Sequence, residues 1–131
     1  MRKEIVLGAL VAPMLAGCFG SNHNERLATR VTAAIVANDM RPVAQDFNAI
    51  VRPKLQNRAF VGRLSDELNA LGKLKNVHET TPRGLSDGKH TFAVTFEKAQ
   101  WVEDMTIDQD GKIAAFHIHR PNDMQAASEE R

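Results

Sequence analysis

Apolar residues recur at helical spacing in the first part of the chain and alternate in the second. From Glu25 the spacing of Leu27, Val31, Ala34 and Ile35 predicts an amphipathic helix, which Asn38-Asp39 and then Pro42 end. Pro42 suits the first turn of a second helix with Val43, Phe47, Ile50 and Val51 on one face, and Pro53 stops or kinks it. A third helix is expected from about Asn57 to Leu71, with Phe60 or Val61, Leu64, Leu68 and Leu71 inward and Gly72 as its C-cap. Beyond Gly72 the period drops to two. Lys73 to Thr81 reads as a weak edge strand, and Pro82-Arg83-Gly84 and Ser86-Asp87-Gly88 punctuate a loop. His90 to Glu97 then places Phe92, Val94 and Phe96 on one face. Trp101 to Asp108, the turn signal Asp110-Gly111, and Lys112 to Arg120 complete a meander.

Helices followed by antiparallel strands make an α+β arrangement: three N-terminal helices packed on a curved four-stranded antiparallel meander. The order of elements, together with Phe96-Glu97 and the run Thr106-Ile107-Asp108-Gln109-Asp110-Gly111-Lys112-Ile113, resembles small bacterial domains of the nuclear transport factor 2-like (cystatin-like) class. The resemblance spans about residues 25–120. It implies a sheet wrapped around helices as a cone, often with a pocket. That class contains isomerases, dehydratases, transport and assembly factors and envelope lipoproteins, so it licenses no single function.

The N-terminus reads as an address. Arg2 and Lys3 precede an uncharged stretch, Ile5 to Leu15, that would span only about 16 Å as a helix against roughly 30 Å of bilayer hydrocarbon. This is the shape of a secretory h-region. Leu15-Ala16-Gly17-Cys18 follows and resembles a bacterial lipobox. The resemblance implies cleavage between Gly17 and Cys18, a diacylglycerol on the Cys18 thiol, and acylation of the new amino group, with palmitate among the chains. The competing reading is a plain signal peptide cut near Ala16, but the chain's one Cys falls where a lipobox needs it. Phe19, not Asp, after the Cys implies the outer membrane, facing the periplasm, in a Gram-negative cell. The expected organisation is a signal peptide (1–17), a lipidated tether (18–24), an α+β domain (25–120) and a flexible tail (121–131).

Composition narrows the activity. With 17 Lys+Arg against 16 Asp+Glu in 131 residues and no basic run, binding to nucleic acid by phosphate neutralisation is not expected. One Cys excludes an intramolecular disulfide and Cys-x-x-Cys chemistry. A ketosteroid-type isomerase would need a Tyr in its oxyanion hole, and the chain has none. G-x-S-x-G, P-loop, G-x-G-x-x-G and H-E-x-x-H motifs are absent. No cofactor is expected.

Glu103 is the position that breaks the pattern. It shares alternate spacing with Trp101, Met105 and Ile107, so a carboxylate interrupts an apolar row and could anchor a ligand or act as a base in a cone-shaped pocket. Its competing role is a surface carboxylate paired with an Arg such as Arg120. Phe96, Trp101, Glu103, Met105 and His117 are the pocket candidates. A two-residue turn at Asp110-Gly111 would set Glu103 opposite Ile118 and Asp104 opposite His117; a longer turn bulged at Gly111 would set Glu103 opposite His117. His117 and His119 share a face, and with Asp104 or Glu103 nearby they could hold zinc. Without a third ligand at a known distance, half-exposed residues paired with acids across the hairpin are the expectation, and no metal is assigned. The resulting expectation is a non-catalytic envelope lipoprotein attached by its lipid, its domain binding a small apolar ligand or another envelope protein. A homodimer through the free sheet face (Val102, Thr106, Ala114) is a further option, and an acid/base enzyme using Glu103 with His117 or His119 on a lipid or cell-wall substrate is the alternative.

Overall fold

A capping box starts the first helix. Asn22 accepts a bond from the Glu25 N–H at 2.7 Å, and the Glu25 carboxylate accepts one from the Asn22 N–H. The computed structural model describes residues 22–81 and 88–121; the expected signal peptide, Cys18, residues 82–87 of the punctuated loop and the expected tail from residue 122 lie outside the described residues. Helix α1 runs His23–Val36, so the end of the expected tether is already its cap and first turn. Leu27, Ala28, Val31, Ala34 and Ile35 are buried along it. It ends where the sequence indicates: Asn38 takes φ 56°, and the N–H groups of Asn38 and Asp39 bond the Ile35 and Ala34 carbonyls.

The expected second helix is replaced by two short pieces. Arg41–Asp46 is a 3₁₀ helix with Pro42 in its first turn, and Arg52–Leu55, helix α2, is a single turn with Pro53 inside its start. Asn48 separates them. Its side-chain oxygen accepts the N–H groups of Ile50 and Val51, which gives the backbone an alternative to helix. Phe47 is buried and forms a parallel bridge to Ile113, whereas Ile50, expected on the same inward face, is 84% exposed. Helix α3, Arg58–Asn69, is capped by Asn57, whose side chain accepts the Ala59 and Phe60 N–H groups. Of the two candidates for its inward face, Val61 is buried and Phe60 is exposed. Ser65 and Asn69 both donate to the Val36 carbonyl, fastening α3 to the end of α1. The C-cap is Ala70 and not Gly72, which lies two residues on; Gly72 takes φ 87°, and a Cβ there would lie 2.5 Å from the Glu97 carboxylate.

Four antiparallel strands follow in the order β1-β2-β3-β4: Leu74–Glu79, Lys89–Phe96, Gln100–Ile107 and Ile113–His119. The chain is therefore α+β, with one four-stranded antiparallel sheet and helices before it. One face of the sheet carries Val77, Phe92, Val94, Phe96, Trp101, Met105, Ile113 and Ile118 into a core shared with α1, the 3₁₀ helix and α3.

The β3–β4 hairpin resolves the register in a way neither simple turn provides. The turn is the longer kind: Asp108 N–H bonds the Lys112 carbonyl, Gly111 N–H bonds the Asp108 carbonyl, and Gly111 takes φ 80°. A second irregularity, between Thr106 and Ile107 on one side and Ala115 and Ile113 on the other, cancels the first. Beyond it Glu103 stands opposite Ile118, and Asp104 opposite His117.

Candidate functional site

Glu103 is completely buried. Strand β3 aims it from between Trp101 and Met105 at α1, where Thr32, also fully buried, meets it at 2.6 Å between Oγ1 and Oε1. The Thr32 hydroxyl also lies 2.8 Å from the Ala28 carbonyl. One hydroxyl hydrogen cannot serve both oxygens. A protonated Glu103 resolves this: its O–H donates to Thr32, whose own hydrogen goes to Ala28. Burial, the first cause, pushes the Glu103 carboxyl up to about 8, the Asp104 charge on the next residue adds to it, and the Thr32 bond opposes it. Among the described residues Oε2 has no hydrogen-bond partner, a smaller penalty for a neutral carbonyl than for a carboxylate.

The five pocket candidates are divided by the sheet. Phe96, Trp101, Glu103 and Met105 are buried in the shared core, while His117 is exposed on the opposite face. Glu103 forms no bond to His117 or His119. On the outer face, Asp104 instead meets His119, with Nε2 and Oδ2 2.9 Å apart, and accepts a bond from the Thr91 hydroxyl at 3.0 Å. His90 turns to Glu79 on β1 at 2.7 Å. Of the two hairpin histidines expected to be half-exposed and paired with acids, His119 is paired, with Asp104 and not Glu103, and it is buried instead of half-exposed.

A half-open cleft of about 520 Å³ lies elsewhere, between the end of α1, the 3₁₀ helix and the start of α3. Met40, Phe47, Leu55 and Val61 supply its apolar wall, and Arg41, Arg52 and Arg58 its basic groups. Arg52 is committed to the Ala44 and Phe47 carbonyls. Arg41 clasps Asp39 with two bonds, which hold that carboxyl down at about 2. The Arg58 side chain makes no hydrogen bond or ion pair among the described residues. Neither this cleft nor Thr32 as the partner of Glu103 was read from the sequence. The cleft arises only because the second helix is broken. Thr32 did leave a signal, a polar residue inside the apolar stripe of α1 that matches the carboxyl inside the apolar row of β3.

No family model, curated protein or solved structure matches the chain. Among the described residues no helix is long and apolar enough to cross a membrane.

Proposed function

We propose that this chain is a lipid-anchored protein of a bacterial cell envelope whose α+β body, read as a nuclear transport factor 2-like domain, binds a ligand and catalyses no reaction. The observation that carries the anchoring is Leu15-Ala16-Gly17-Cys18 directly behind the uncharged stretch Ile5 to Leu15. Removing residues 1–17 takes away Arg2, Lys3 and Glu4 and leaves the remainder electrically neutral, so attachment rests on acyl chains and not on charge. Each buried CH₂ contributes about 0.8 kcal/mol, and two or more chains make attachment lasting. Phe19 in the position after the Cys supports outer-membrane placement facing the periplasm in a Gram-negative cell.

Binding without catalysis is favoured by the site chemistry. Glu103 is spent on Thr32 inside the core, separated by the sheet from His117 and His119, so an acid/base pair of those groups has no common space for a substrate. The cleft suits a small ligand with an apolar body and an anionic end: its wall is apolar, and the Arg58 side chain that lines it has no ion-pair partner among the described residues.

Two experiments test the two halves. In a bacterial host fed a labelled fatty acid, the wild-type chain is expected to take up label and sediment with membranes, and Cys18→Ser to lose both; membrane-bound, labelled Cys18→Ser would sink the anchoring. Native mass spectra of the protein purified from envelope extract are expected to show a co-purifying anionic mass that Arg58→Glu loses. An unliganded mass for wild type, or a ligand retained by Arg58→Glu, overturns the cleft assignment.

A further inference from the structure

The outer face of the hairpin brings together Asp104, His117 and His119, one ligand atom from each lying within 4.8 Å of the others. The register produces this cluster. Asp104 and His117 are directly opposed across β3 and β4, and His119 is the diagonal neighbour two residues on, within reach of a long side chain. Without the cancelling irregularity near Ala114, Asp104 would stand opposite Phe116 and the group would not form.

His119 supplies the argument for a cation. Its Nδ1 lies 3.0 Å from the carbonyl oxygen of Arg120, and its Nε2 lies 2.9 Å from Asp104 Oδ2. Both partners are acceptors only. If Nδ1 carries the hydrogen that Arg120 accepts, Nε2 presents a lone pair to a carboxylate lone pair, and something positive must lie between them: a second proton or a metal ion. The His117 ring lies beside it, its centroid 4.7 Å from that of His119, with a ring nitrogen within 4.8 Å of the other two ligand atoms. Three donors with ligand atoms within 4.8 Å of one another suit a metal better than one proton, which only two of them can share.

We propose that Asp104, His117 and His119 form a binding site for a divalent transition-metal ion, with zinc as the leading candidate. Two imidazoles and a carboxylate match zinc chemistry, and the set contains too few oxygens for calcium or magnesium. Zinc with ligands at about 2.0–2.1 Å in tetrahedral geometry needs ligand atoms roughly 3.3 Å apart. Asp104 and His119 are already at 2.9 Å, and the exposed His117 ring has freedom to close the remaining gap. The surrounding bonds are those that orient metal ligands: the Arg120 carbonyl fixes the His119 tautomer so that Nε2 faces the site, and the Thr91 hydroxyl holds Asp104 Oδ1 and leaves Oδ2 turned to His119 Nε2. The half-exposed Asp104 side chain and exposed His117 give an ion a way in, and a fourth position remains open to water. This inference is independent of the anchoring and of the cleft.

Zinc ion alone, titrated into the full chain in detergent micelles against a chromophoric chelator, tests it. One equivalent is expected to bind. Asp104→Asn and His117→Ala are expected to weaken binding by more than about 100-fold, since loss of an outer partner alone costs about 10–100-fold. Thr91→Val, which removes only such an outer partner, is expected to cost about tenfold. His117 is exposed, so its replacement leaves the fold intact, and an unchanged circular dichroism spectrum checks this. His90→Ala is the control, because that ring is engaged with Glu79. Absence of stoichiometric binding, wild-type affinity in His117→Ala, or a loss that follows His90→Ala instead would each overturn the site.

Discussion

Urea unfolding of the wild type is expected to show stability falling as pH rises from 5 to 8, a fall that Glu103→Gln removes. The folded-state pKa of Glu103 is raised from 4.5 to about 8. Between those values the native protein holds a proton that the unfolded chain has released, so stability decreases with pH by up to about 1.4 kcal/mol per unit. Across that window the contribution of this one group is of the order of 4 kcal/mol. Carboxyls held below their ordinary range, such as Asp39, act in the opposite sense but at lower pH, outside the window. Gln keeps the size of Glu103 and has no proton to lose, so the variant is expected to match wild type near pH 5 and to exceed it by several kcal/mol at pH 8. Parallel pH profiles for the two proteins would show that Glu103 is not the neutral group its contact with Thr32 requires.

The second large effect is expected at Phe47. The ring is buried, sits edge-on to Phe116 at 6.3 Å, and belongs to a residue whose backbone bridges Ile113. Phe47→Ala is expected to cost about 3–5 kcal/mol, measured as a lower urea midpoint with little change in slope. The size of the loss reads how well the 3₁₀ segment can collapse into the space. A cost below about 1 kcal/mol would mean that this segment is not seated on β4 as described.

The sheet was legible because its signal is local. Alternation in Phe92-Ala93-Val94-Thr95-Phe96 and in Trp101 to Ile107 fixes which face is buried, and the observed strands lie within a residue or two of those expected. The broken second helix was not legible. Val43, Phe47, Ile50 and Val51 do fall at helical spacing, but Asn48 captures two backbone donors and turns the chain out of that period, which no apolar count reveals. The hairpin register was only half legible: the turn residues mark one shift, while the compensating irregularity falls at Ala114, between Ile113 and Ala115, with no distinctive chemistry. Glu103 announced itself as an anomaly in the sequence, yet its meaning depended on Thr32, 71 positions earlier, and so on tertiary packing.

The bridge from Phe47 to Ile113 bears on how the molecule avoids its own kind. An outer strand is a template for uncontrolled pairing, since its free N–H and C=O groups invite a strand from another copy. On β4 the first such position is already taken, by Phe47 and by the Asn48 N–H on the Ile113 carbonyl, so the stretch of that edge nearest the core never presents a bare ladder. The opposite edge, β1, is guarded by chemistry instead: Lys75 and Asn76 stand exposed along it, next to a register break at its start. At high local concentration, copies of such a domain would meet edge to edge constantly, and these two unlike guards are what would keep the encounters from becoming fibrils.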